Sequence, residues 1–165
     1  MVNLSTSAMV ESLGREVHRT PVGEINVTRR MLELSAPVGG EGNGGLIVPE
    51  CHPGRDGMLA AAVILHRMAR TGRNLSELAG EFPKLFMVKD KVRTDADPMA
   101  IEDKLAAEFN PVKTDRSDGL RFTISEGWLH IRASNTEPVV RVIAESKSPD
   151  VAEKLVKRAR RLIVE

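Results

Sequence analysis

The residues best placed to do chemistry lie together in Arg132-Ala133-Ser134-Asn135-Thr136-Glu137-Pro138, with Arg141 three positions further on. Two hydroxyls, a carboxamide and successive backbone N–H groups fall in a short bend closed by a proline. A bend of this kind points several N–H donors into one concavity, which suits an anion. Ser134 and Thr136 add hydroxyl donors and Asn135 an amide. Arg132 and Arg141, one on each side, offer planar and permanently charged forks that match phosphate oxygens. The chemistry this set supports is capture of a phosphate dianion. Ser, Asn and Thr also build ordinary solvated hairpin tips, so residue types alone leave both readings open.

A second stretch, Gly39-Gly40-Glu41-Gly42-Asn43-Gly44-Gly45, places five glycines in seven positions. Gly40, Gly42 and Gly45 match the spacing of a dinucleotide loop, but that loop must open a helix. Here Leu46-Ile47-Val48-Pro49 follows, a strand ending in proline, so the dinucleotide reading is rejected. What remains is a pliant backbone presenting the Glu41 carboxylate and the Asn43 carboxamide. A carboxylate on such a loop can accept from two neighbouring sugar hydroxyls; a glycine-rich surface bend with a solvated Glu is the plainer alternative. Cys51-His52, with no second Cys and no nearby His, lacks metal-ligand spacing and reads as an ordinary loop.

These loops need elements to hold them. Gly127–Ile131 alternates as a half-buried strand and Val139–Ala144 reads as the strand that returns from the bend. Further strands are expected near Pro111–Asp115 and Leu120–Ser125, with turns at Ser117-Asp118-Gly119 and Glu126-Gly127. That makes a four-stranded, mainly antiparallel sheet. Two helices accompany it: one opened by Asp97-Pro98 and ending near Phe109, and one from Ser148 with Val151, Leu155, Ala159 and Leu162 on one face. The other face of that last helix carries Lys154, Lys157, Arg158, Arg160 and Arg161 and reads as a solvated face. The basic stretch Lys84–Thr94 is taken as the connection into this second unit.

The first unit alternates short strands with helices, which indicates an α/β layer architecture. Residues 2–4 read as the end of a strand, Ser5–Ser7 as a helix cap, and Val17–Pro21 as a short strand. Helices are expected over Glu24–Leu34, from Asp56 to about Arg70 with Gly72 as the stop, and over Leu75–Gly80. The run Leu59–Leu65 is apolar nearly all round, so its helix is expected to be buried on more than one side. A strand of three residues at the very start pairs poorly, and sequence belonging before Met1 is expected to be absent.

With 24 basic against 23 acidic residues and 41% hydrophobic residues, the 165-residue chain reads as a soluble globular protein. The balance argues against a general nucleic-acid or membrane-surface binder. One cysteine excludes an internal disulfide, no signal peptide is visible, and a cytoplasmic location is expected.

Two motifs, in this order and about ninety residues apart, resemble the α-D-phosphohexomutase family. Gly40-Glu41-Gly42-Asn43-Gly44-Gly45 resembles the family's Gly-Glu-x-Ser-Gly-His sugar loop, with Asn43 and Gly45 in place of Ser and His. That form is similar to archaeal-type phosphoglucosamine mutase relatives. Arg132–Pro138 with Arg141 resembles the Arg-x-Ser-(Gly/Asn)-Thr-x-Pro phosphate loop. Thr20-Pro21-Val22-Gly23 and Asp56-Gly57 look like further landmarks. The resemblance implies an α/β layered third domain over 1–88 and an α+β fourth domain over 89–165. It implies sugar binding by Gly40, Glu41, Gly42 and Asn43, and phosphate binding by Arg132, Ser134, Asn135, Thr136 and Arg141. In the family a phosphoserine and a magnesium-binding aspartate loop lie in the first two domains. Neither motif occurs here, so no catalytic residue and no metal ligand is expected in this chain. The implied partners are a phosphosugar and an N-terminal half in the same or another chain. The implied role is the recognition half of a phosphohexomutase, inactive by itself. A stand-alone phosphosugar-binding module is the alternative.

Overall fold

The computed structural model describes residues 4–42, 44–134 and 136–164, which form two compact units meeting at Pro83 and Lys84. Among these residues no helix is long and apolar enough to cross a membrane.

The N-terminal unit holds helices α1 (Leu4–Ser12) and α2 (Glu24–Leu34), two-residue strands β1 (Gly39–Gly40) and β2 (Leu46–Ile47), and helices α3 (Gly57–Thr71) and α4 (Leu75–Ala79). Helix ends follow capping chemistry. The Asp56 carboxylate accepts from the Leu59 amide at 2.8 Å, and Gly72 leaves the helix at φ 67°. Asn74 and Glu77 form a reciprocal capping box at α4. Leu4 is already helical, residues 2 and 3 lie outside the described residues, and no strand forms over 17–21.

The apolar helix differs from expectation. No residue of α3 is buried, and Met58, Val63, Ile64 and Leu65 stand exposed. An apolar helix face is buried only against another layer, and the described sheet in this unit is two residues per strand. Among the described residues, the buried apolar side chains here are Met31, Ile47 and Leu78. Polar ties hold α2 to the loop after β2: Thr28 Oγ1 donates to the Pro53 carbonyl at 2.9 Å, and Glu24 accepts from both the amide and Nε of Arg55 at 2.7 Å.

The C-terminal unit is built on a five-stranded antiparallel sheet in the order β3-β7-β6-β5-β4. The strands are β3 (Phe86–Arg93), β4 (Lys113–Asp115), β5 (Leu120–Ile124), β6 (Gly127–Ala133) and β7 (Val139–Ser146). The fifth strand, β3, is the stretch expected as a connection. All eight of its residues pair with β7, from Phe86 opposite Ser146 to Arg93 opposite Val139. Its charges hide the alternation, because an edge strand needs only one apolar face and is protected by lysines on the other. Val88 and Val92 point to the core. A 3-10 turn (Pro98–Ile101) leads into α5 (Glu102–Phe109), and α6 (Pro149–Val164) ends the unit.

One sheet face carries Val92, Leu120, Phe122, Ile124, Leu129, Ile131, Val140, Val142 and Ala144 against Leu105 and Phe109 of α5 and Leu155, Val156, Ala159, Leu162 and Ile163 of α6. The basic face of α6 is partly spent on acids: Arg158 pairs with Glu108 at 2.8 Å, Arg160 with Asp90 at 2.9 Å and Lys157 with Glu153 at 3.1 Å. The Arg158 contact holds the Glu108 carboxyl below its ordinary value. Among the described residues, α5 and α6 both pack on that one face and leave the opposite face of the sheet without a helix from this unit. It carries the residues of interest.

Candidate functional site

Side chains alternate across a strand, so Trp128, His130 and Arg132 share the helix-free face of β6, and Arg141, Ile143 and Glu145 share that of β7. The register sets Arg132 directly opposite Arg141 at the foot of the β6–β7 turn. Like charges facing each other across a ladder destabilise it. Both Nε atoms are buried and have no hydrogen-bond partner among the described residues. The pair is a preformed cationic fork with donors to spare.

Above the pair, the turn closes through the Ser134 amide, which donates to the Val139 carbonyl at 2.9 Å. The Thr94 amide fixes the far side by donating to the Pro138 carbonyl at 3.1 Å. Ser134 Oγ and Thr136 Oγ1 lie 3.5 Å apart, and the Thr136 amide points at Ser134 Oγ at the same distance. The amide of Ser134 is therefore committed to closing the turn, while the two hydroxyls and the Thr136 amide cluster beside it. Asn135 lies outside the described residues.

The pairing of β3 brings in further cations, from a stretch whose sequence reads as a connection. Lys91 stands opposite Arg141 and Arg93 opposite Val139, so both sit on the same face as the arginine pair. Arg121 joins from β5, opposite His130. Its guanidinium lies 4.9 Å from the centre of the Trp128 ring, and the indole N–H donates to the buried Glu145 carboxylate at 2.7 Å. A hidden strand at 86–93 was the signal that would have revealed Lys91 and Arg93.

In the N-terminal unit the glycine-rich stretch is a tight hairpin. The Glu41 amide donates to the Gly45 carbonyl at 3.0 Å, and the Gly44 amide to the Glu41 carbonyl at 3.1 Å. A Cβ at Gly40 would stand 2.4 Å from the Gly45 oxygen, so Gly40 is required by the bend itself. Glu41 is half-buried, Gly42 is exposed, and Asn43 lies outside the described residues. Cys51 is exposed and the His52 ring accepts from the Gly54 amide at 3.0 Å, as an ordinary loop would have it.

Residues 1–86 match the sequence profile described as phosphoglucomutase/phosphomannomutase, alpha/beta/alpha domain III. Residues 87–162 match the one described as phosphoglucomutase/phosphomannomutase, C-terminal domain. The chain belongs to this family. Among its relatives, a phosphoglucomutase/phosphomannomutase of Thermococcus kodakarensis is 36% identical over 100% of this chain and 38% of its own length. A phosphoglucosamine mutase of Rubrobacter xylanophilus is 39% identical over 96% of this chain and 35% of its own length. The solved structure of a phosphoglucomutase/phosphomannomutase family protein from Burkholderia thailandensis superposes with a TM-score of 0.78 at 26% identity, over 97% of this chain and 35% of that one. The chain thus spans little more than a third of the length of these relatives and corresponds to the C-terminal part of a phosphohexomutase.

Family members of this kind work with magnesium, and the residues present do not fit it. Among the described residues no three His, Cys, Asp or Glu side chains gather as a metal's ligands. The charged side chains paired at the foot of the β6–β7 turn, Arg132 and Arg141, are cations.

Proposed function

We propose that this chain is the substrate-recognition part of a phosphohexomutase, with the β6–β7 turn as the grip on the substrate's phosphate. The observation that carries the reading is the in-register pair Arg132 and Arg141, half-buried, with unpartnered Nε donors. A phosphate dianion turns that repulsion into two charge-assisted contacts. Ser134, Asn135 and Thr136 supply neutral donors around it. Lys91 and Arg93 add long-range attraction that steers an anion toward the turn.

Glu41 and Asn43, with the backbone of Gly40 and Gly42, read the sugar. Glu41 accepts from hydroxyls or pairs with an ammonium, and Asn43 both donates and accepts. A hexosamine phosphate fits that pair, and glucosamine phosphate is the substrate we assign, in line with the Rubrobacter relative's name. Binding energy from the unreacting phosphate orients the reacting end of the sugar. The nucleophile and the magnesium belong to an N-terminal half, in the same or another chain, and the reaction is transfer of the phosphoryl group between the 1 and 6 positions.

Calorimetric titration of the chain with glucosamine 6-phosphate tests the grip. Arg132→Ala and Arg141→Ala each weaken binding by about 1.5–3 kcal/mol, the scale of a hydrogen bond to a charged group. Unchanged affinity in both folded variants would remove the assignment.

A further inference from the structure

The Arg132 guanidinium is braced from one side. Its Nη1 lies 3.7 Å from Asp118 Oδ1, and the two side chains are only 16% and 25% exposed. Asp118 belongs to the β4–β5 turn, and the next residue, Gly119, presses that turn onto the strand bearing Arg132. Gly119 has φ +73°, and a Cβ there would lie 2.5 Å from the Ile131 carbonyl oxygen and 2.7 Å from Arg132 Cβ. Only glycine permits that approach.

A third contact ties the same turn down. Nε2 of the buried His130 lies 2.5 Å from the Asp118 carbonyl oxygen. A carbonyl can only accept, so Nε2 carries the proton and the ring is the Nε2–H tautomer. His130 sits two residues before Arg132, on the same face of β6. Steric fit, a hydrogen bond and a charge pair therefore converge on Asp118-Gly119 from two successive residues of that face.

The atom that Asp118 engages matters. In a guanidinium, Nη1 lies on the side of Cδ, while Nε–H and the Nη2 hydrogen on its side point together along the other edge. A carboxylate on Nη1 leaves that second edge for a tetrahedral anion, and its Nε is buried without a partner among the described residues. We propose that the Asp118-Gly119 turn, latched by His130, is a positioning element that holds Arg132 with its Nε–Nη2 edge facing the phosphate. Asp118 is a positioning residue and makes no contact with the anion. This rests on the phosphate reading of the β6–β7 turn.

The test is a titration of the isotope-labelled chain with glucosamine 6-phosphate, followed through the amides of Ser134 and Thr136 and the Arg132 Nε–H resonance. Wild type, Asp118→Asn, Arg132→Lys and the double variant form a cycle. Asp118→Asn shifts the Arg132 Nε–H signal and weakens binding about two- to fivefold, the range of a partly exposed ion pair. In the Arg132→Lys background it costs nothing further, because an ammonium has no edge to orient. Equal loss from Asp118→Asn in both backgrounds, or no loss in either, overturns the brace and leaves the grip standing. Full binding by Arg132→Lys and Arg132→Ala alike overturns the grip itself, and the brace with it.

Discussion

The two units of this chain spend their apolar residues differently. In the C-terminal unit a continuous core runs from Val92 to Ile163, with Leu120, Phe122, Leu129, Ile131, Val142 and Ala159 at or near complete burial. In the N-terminal unit Ile25, Leu32, Met58 and Leu65 remain 60–86% exposed. Helix quality does not explain the contrast, since α3 is well capped at both ends. The sheet does. Five paired strands make a platform wide enough for α5 and α6, whereas β1 and β2 offer two residues each. Helices draw most of their stability from packing a face, so the same kind of helix is secured in one unit and left open in the other. The β6–β7 turn sits in the closed unit, and the glycine hairpin in the open one.

Deleting side chains breaks the comparison most sharply. Phe122→Ala in the C-terminal core should cost about 3–5 kcal/mol, while Leu65→Ala on α3 should stay within about 0.5 kcal/mol. Urea unfolding checks this when followed by two signals: the fluorescence of the only tryptophan, Trp128, reports the C-terminal unit, and far-ultraviolet circular dichroism includes the N-terminal helices. Comparable losses at the two positions would mean that α3 is covered after all.

Glycines give the next largest effect. A Cβ at Gly127 would fall 2.0 Å from the Glu145 carbonyl oxygen of the neighbouring strand, at φ 151°. Gly127→Ala must push β6 from β7 and should cost about 3 kcal/mol. Gly44 has φ 93° and open space around it, so Gly44→Ala carries backbone strain alone, about 1–2 kcal/mol. The ratio of the two, read from melting curves, measures how tightly each unit holds its turn.

Acidification produces the smallest effect and touches the C-terminal unit through His130. Burial pushes its pKa below the ordinary 6.5, against the raising influence of the Asp118 carbonyl and carboxylate; Arg132 and Arg121 push the same way as burial. The unfolded chain therefore binds this proton more readily than the folded one, and stability increases with pH through that range. The contribution is present in full above about pH 6.5 and is lost as pH falls from there toward the lower folded value. His130→Gln should flatten the slope of Trp128-monitored stability between pH 5 and 6.5, the window set by the ordinary histidine pKa. A slope unchanged in the variant would assign it to other groups.

Much of this was legible from residue patterns. Phe122 alternates with Arg121 and Thr123, Leu129 and Ile131 flank His130, and the strands around the β6–β7 turn follow. Gly72, Asp56 and Asn74 marked helix ends through their own chemistry. The strand over 86–93 was not legible, because Lys89, Asp90, Lys91 and Arg93 obscure a period that only Val88 and Val92 reveal. Exposure of α3 was not legible either: an apolar run states what a helix would bury, and the layer that buries it is a property of the sheet. At the site, the arginines were visible as types, but their opposition across β6 and β7 is a matter of register. The brace from Asp118 and His130 depends on a turn folding back onto a strand, which no local spacing encodes.

The central claim is that the Arg132–Arg141 opposition exists to be neutralised by a phosphate. Urea unfolding of wild type and Arg141→Gln, each with and without millimolar glucosamine 6-phosphate, tests it most directly. Without ligand, the variant should be at least as stable as wild type, since it removes a like-charge pair worth about 0.2–1 kcal/mol of destabilisation. With ligand at ten times its dissociation constant, wild type should gain about 1.4 kcal/mol and overtake a variant that gains little. A wild type that is the more stable protein without ligand, and that shares the variant's response when ligand is added, would contradict the account.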